Sequence, residues 1–168
     1  MSQVTISPIR AHHIKSFRDT LDAVAREKKY LAFVEAPPLE AVRQFVLDNL
    51  RRDISQFVAM DGKRVAGWCD ILWPELPGFT HCGRLGMGLL PAWRGQGIGR
   101  RLAQTCLADA WHKGLTRVEL DVYASNLPAI RLYETLGFRL EGRKVNARFL
   151  DGVYDDILFM ALVKPDKI

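Results

Sequence analysis

Residues 94–101 read RGQGIGRR and follow the apolar run LGMGLLP. Three glycines alternate with other residues, and arginines stand at both ends. Glycine gives up more backbone freedom on folding than any other residue, so three at this spacing mark a backbone that must come close to something. The arginines make that something anionic. A glycine turn between a strand and a helix offers unpaired N–H groups at the positive end of the helix dipole, a setting for phosphate. Two other phosphate motifs are excluded by spacing. A P-loop needs GxxxxGK followed by Ser or Thr, which is absent. The GxGxxG pattern fails from Gly95, where Arg100 is sixth, and from Gly86, where Pro91 is sixth. A second pair is Asn126 and Tyr133, two helical turns apart on one face. Asn fills an N-cap well. A phenol of pKa about 10 is protonated at neutral pH and can donate a proton.

Periodicity predicts the strands and helices around these groups. VTISPI (4–9) alternates as a strand. Residues 11–29 and 39–52 carry apolar side chains at helical spacing, separated by Pro37-Pro38. SQFVAM (55–60) and RVAGWCDILW (64–73) are strands joined at Asp61-Gly62, a hairpin signal. HCGRLGMGLL (81–90) is a strand ended by Pro91. Ile98, Leu102, Cys106, Leu107, Ala110 and Trp111 form a helical stripe. TRVELDVY (116–123) is a strand, and 126–136 a short helix with Gly137 as its C-cap. FRLEGR (138–143) and VYDDILFMALV (153–163) are strands with a loop between them.

The 168 residues form one domain, 1–168, with no repeat or linker. Apolar residues at 48% and charged residues at 26% fit a soluble globular chain. No apolar run approaches the roughly 20 residues of a membrane span, and MSQVTISPIR lacks the core of a signal peptide. A cytoplasmic location is expected. Cys69, Cys82 and Cys106 are odd in number and fit no zinc spacing, so they read as free thiols, and the histidines form no HExxH pair. No metal is expected. The net charge of +5 comes from scattered residues rather than a block, which argues against a nucleic-acid partner.

PAWRGQGIGRRL resembles the pyrophosphate-binding motif of the GNAT superfamily of N-acetyltransferases, Arg/Gln-x-x-Gly-x-Gly/Ala, with Arg94, Gly97 and Gly99 in register. YASNLPAIRLYETLGFRLEGR (123–143) resembles the segment after that family's fifth strand, with its Asn, its Tyr and a GF near the end. The resemblance implies an α/β (α+β) fold: a mixed, mostly antiparallel sheet of six to seven strands flanked by about four helices, splayed between the fourth and fifth strands. It implies acetyl transfer from acetyl-CoA to a primary amine. The cofactor would lie on Leu89, Leu90, Arg94, Gly95, Gln96, Gly97, Ile98, Gly99, Arg100, Asn126 and Tyr133. The Leu89 N–H would polarise the thioester carbonyl, and Tyr133 would be the acid toward the departing sulfur.

Many members carry a Glu on the fourth strand as base. Here strand 81–90 has no carboxylate, only His81 and Arg84, so Asp70, Glu75, Glu119, Asp121 and a water relay all stay open. The family's acceptor pocket draws on the first helices, the exit of the third strand and the last hairpin. Those segments offer Tyr30, Phe33, Glu35, Trp73, Glu75, Phe79, Phe149 and Tyr154, with Asp121 on the fifth strand. Aromatics with carboxylates suit a small cationic or aromatic amine. An amino acid or similar small amine is the first expectation, and a protein N-terminus, such as that of a ribosomal protein, is the second. An acyl-CoA sensor without turnover is the rival from another class. Many members pair as homodimers, and nothing in this sequence sets the oligomeric state.

Overall fold

The computed structural model describes residues 4–164. Its centre is one seven-stranded sheet. In chain order the elements are β1 (Thr5–Pro8), α1 (Ile14–Arg26), α2 (Leu39–Arg51), β2 (Ser55–Asp61), β3 (Arg64–Leu72) and β4 (Cys82–Leu89). They continue with α3 (Ile98–His112), β5 (Arg117–Tyr123), α4 (Leu127–Thr135), β6 (Arg139–Leu150) and β7 (Val153–Val163). The strand order is β1-β2-β3-β4-β5-β7-β6. Every neighbouring pair is antiparallel except β4 and β5.

The sheet is buried on both faces. On one face α1 and α2 pack Phe17, Leu21, Val24, Val42 and Val46 against Val58 and Trp68. On the other, α3 packs Ile98, Leu102, Cys106 and Leu107 against Cys69, Ile71, Leu85 and Leu120. Alternation along β3 separates the two sets, with Trp68 on the α1 face and Cys69 and Ile71 on the α3 face. Cys69 and Cys106 are buried free thiols, and Cys82 is half-buried and free.

Two elements differ from the sequence reading. The first helix ends at Arg26 rather than near Lys29, because Lys28 takes a positive φ of 56° and turns the chain away. The expected loop after Arg143 is instead strand, since β6 runs on to Leu150. That extension is an edge ribbon paired only to β7 and mostly exposed, so no buried alternation announces it. It is also broken by an irregularity between Lys144 and Arg148, where Asn146 has φ 53°. No described helix is long and apolar enough to cross a membrane.

Candidate active site

The parallel pair is short. Only Cys82, Gly83 and Arg84 meet β5, opposite Arg117, Val118 and Glu119. Beyond Arg84 the two strands part into a wedge. On its other edge β4 stays paired with β3 through Leu89. The Leu90 N–H donates to Ala66 O at 2.8 Å. Backbone groups two residues apart on a strand point the same way, so those of Gly88 and Gly86 also face β3. The N–H groups of Met87 and Leu89 therefore face the wedge, where β5 has left. Two backbone donors pointed into a cleft can hold a carbonyl oxygen that gains negative charge. The Arg84 guanidinium crosses the wedge to the Asp121 carboxylate at its closed end.

The glycine turn sits where β4 meets α3. Gly95 and Gly97 hold φ of 71° and 76°, with open space where a Cβ would stand. That conformation favours glycine. Gly99 differs: a Cβ there would touch Met87 Cε and Leu132 Cδ2, each at 3.5 Å, so it lies between β4 and α4. The first N–H of α3 with a backbone acceptor is that of Arg101, to Gly97 O at 3.1 Å. From Gly95 to Arg100 no N–H meets an acceptor among the described residues. Six unpaired donors at a helix N-terminus suit a pyrophosphate. The Arg100 side chain is exposed and has no partner among the described residues, so its charge is available to an anion.

The Arg94 guanidinium, expected on the phosphates, is committed elsewhere. It donates to both carboxylate oxygens of Glu27 at 2.5 and 2.9 Å, and to Leu89 O at 2.8 Å. It also stacks on the Tyr30 ring at 4.8 Å. Arg94 is thus a bracket that ties the end of α1 to the open end of β4. The Gln96 amide turns back to Ala92 O. Ile98 and Leu90 are buried in the two cores.

Asn126 caps α4, its Oδ1 accepting from the Ala129 N–H at 3.3 Å. The far end of α4 closes with Gly137 N–H on Glu134 O and Phe138 N–H on Tyr133 O, with Gly137 at φ 96°. This glycine-terminated end holds Tyr133, whose ring packs on Phe138 with centroids 5.8 Å apart. Tyr133 is buried against the α3-face core. Its hydroxyl has no hydrogen-bond partner among the described residues. The sole fully enclosed side-chain nitrogen or oxygen without a partner there is Gln56 Nε2, so the Tyr133 oxygen keeps contact with solvent. Burial pushes its pKa well up, which keeps the proton on the phenol.

The expected acceptor residues divide. Tyr30 and Tyr154 line a cavity of about 470 Å³ between the end of α1, the start of α4 and the β6–β7 hairpin. Phe149 stacks on Tyr154 at 4.5 Å. Three cations that the sequence reading passed over, Lys28, Lys29 and Arg148, share that lining with Asn126 and Asp155. Their separation in the chain hid them, since the hairpin brings Arg148 onto Lys28 O at 2.5 Å. Glu35 is outside, exposed and 3.5 Å from Arg26. Trp73 and Glu75 lie beyond the closed end of the wedge, because β3 runs antiparallel to β4 and leaves the sheet beside Arg84. There Arg52 holds Glu75 Oε1 and Trp73 O. Phe33 and Phe79 are exposed. Asp121 is on the wedge but paired to Arg84.

Comparison with known proteins agrees with this geometry. Residues 19–138 match the model of the acetyltransferase (GNAT) family. An L-amino acid N-acetyltransferase of Escherichia coli is 31% identical over 116 residues, 68% of this chain and 71% of that one. Two solved structures share the fold. A phosphinothricin acetyltransferase from Sinorhizobium meliloti in complex with acetyl-CoA has TM-score 0.90 and 19% identity, covering 98% of this chain and 89% of its own. A ribosomal-protein-alanine N-acetyltransferase from Brucella melitensis has TM-score 0.87 and 21% identity, covering 95% and 99%. With its parted fourth and fifth strands, its glycine turn and these relatives, the chain belongs to the GNAT acetyltransferase family.

Proposed function

We propose that this enzyme transfers the acetyl group of acetyl-CoA to the α-amino group of a free amino acid. The cation-lined cavity carries the reading. Lys28 pairs with Asp151 at 3.3 Å, and Arg148 leans on the Tyr123 ring, but Lys29 has no partner among the described residues. A cavity beside the open wedge with an uncommitted ammonium suits an acceptor that carries a carboxylate next to its amine. Glu35 and Glu75, expected beside a cationic amine, lie outside this cavity on Arg26 and Arg52. A protein N-terminus has an amide where a free amino acid has its carboxylate, so this lining favours the free acid. The E. coli relative named for L-amino acids supports the same choice.

Acetyl-CoA would supply the activated acetyl thioester, and the cradle fits its pyrophosphate through the Gly95–Arg100 N–H groups. The N–H groups of Met87 and Leu89 would bind and polarise the carbonyl oxygen. Asn126 lines the cavity and would hold the pantetheine arm. The Tyr133 hydroxyl holds the proton that the departing sulfur needs. The test is acetyl-CoA-dependent thiol release with free amino acids, the matching amino-acid amides, polyamines and short peptides. Free acids should exceed their amides in kcat/KM by about tenfold or more, the worth of a charge-assisted contact. Equal rates would overturn the carboxylate reading in favour of peptide N-termini. Acetyl-CoA binding without turnover on any amine would favour a sensor.

A further inference from the structure

Asp70 is the single buried carboxylate among the described residues, 7% exposed, and it makes no hydrogen bond and no ion pair with them. A buried charge without a partner is expensive, so the sheet gains nothing structural from it. Its position is specific. It lies on the α1 face of β3, two residues beyond Trp68. It pairs in register with Gly86, and Arg84 with Glu119. Two residues further along both parallel strands, Gly86 and Asp121 are level across the open wedge. Asp70, Gly86 and Asp121 thus form a row on one face, with the gap after Gly86. A Cβ on Gly86 would come within 3.3 Å of Asp70 Oδ1. The missing side chain leaves that oxygen over Gly86, the residue before Met87.

We infer that Asp70 takes a proton from the ammonium group of the acceptor, across Gly86, before the nitrogen attacks. This rests on the amine-acetylating reading above. The carboxylate accepts one N–H proton. The neutral nitrogen then forms the C–N bond, the C–S bond breaks, and the sulfur takes the Tyr133 hydroxyl proton. The nitrogen's second proton returns to Tyr133 through solvent, and Asp70 releases its own to water. The groups facing Asp70 leave it free to do this. From β2 comes neutral Gln56, whose Oε1 accepts from Asn49 Nδ2 of α2 at 3.0 Å. Two residues along β3 on the same face, the Trp68 ring packs on Phe17 of α1. Through the sheet lies the Cys106 thiol of α3, which senses the Asp70 charge and stays protonated. Across the wedge Asp121 is neutralised by Arg84. Burial alone raises the Asp70 pKa to about 7, where a base for neutral-pH work should titrate.

The test combines two variants with a measurement that needs no turnover. Carbon NMR of the ligand-free protein should show the Asp70 carboxyl titrating near pH 7. Asp70→Asn should lower kcat at pH 7 by about a hundredfold, remove the acidic limb of the kcat/KM profile, and leave acetyl-CoA affinity within about twofold. Gly86→Ala should cut kcat/KM for the amine severalfold, and it serves should the Asn variant misfold. An Asp70 carboxyl titrating below pH 5 would overturn the inference, as would Asp70→Asn turning over like wild type with its acidic limb intact. Turnover that survives Asp70→Asn rejects this inference alone. Failure of the wild type to acetylate any amine rejects the amine reading and this one together.

Discussion

The two halves of β4 obey different rules. From Cys82 to Arg84 the strand is held by β5, and Arg84 is paired on both edges, with Glu119 of β5 and Leu72 of β3. From Leu85 to Leu89 it is paired on one edge, and the N–H groups of Met87 and Leu89 are left without a strand partner. Glycine serves both halves in opposite ways. A Cβ on Gly83 would stand 2.4 Å from Ile71 Cγ2 and 2.5 Å from Leu115 Cδ2, so there glycine permits core packing. On Gly86 it would meet only the Asp70 carboxylate. The lower half carries stability, and the upper half gives some up for chemistry.

Four variants test that contrast. The largest effect should come from Tyr133→Phe, a drop in kcat of roughly ten- to a thousandfold with acetyl-CoA affinity nearly unchanged. Unchanged kcat where chemistry limits the rate would remove Tyr133 from the mechanism. Next is the stability of Asp70→Asn. The folded carboxyl holds its proton up to about pH 7, whereas the unfolded one releases it near pH 4. Wild-type stability must therefore fall as pH rises between those values, by about 4 kcal/mol, and stay low above them. The Asn variant should lose that slope and melt at higher temperature at pH 8. Parallel melting curves for both proteins from pH 4 to 8 would contradict the buried, unpartnered carboxylate.

Gly97→Trp should weaken acetyl-CoA binding by about a hundredfold in calorimetry, since φ of 76° and the approach to the N–H groups are both lost. The fold should survive, because the site is open. The smallest effect should be that of Gly83→Ala, a loss of about 1–3 kcal/mol from overpacking, read as a lower Tm. Its kcat per folded molecule should match wild type. An inactive but stable Gly83→Ala protein would erase the distinction between the halves.

The local features were legible in the chain. Gly95 and Gly97 announce a left-handed turn, Asn126 a cap, and Gly137-Phe138 a helix end that seats Tyr133, because each depends on a few consecutive residues. The Arg94 bracket was not legible. Its partner Glu27 is 67 positions away and looks like any surface carboxylate at a helix end. The cation-lined cavity was hidden for the same reason, with Lys29 and Arg148 brought together by the hairpin.

The sequence alone set the order of elements, the glycine turn before α3 and the capped ends of α4, since short-range backbone chemistry governs all three. Strand register and direction decided the rest. They set Asp70 over Gly86 at the wedge, sent Trp73 and Glu75 to its closed end, and turned Arg94 inward to Glu27. A residue's place in a sheet depends on which strand lies beside it, and that is a property of the whole fold.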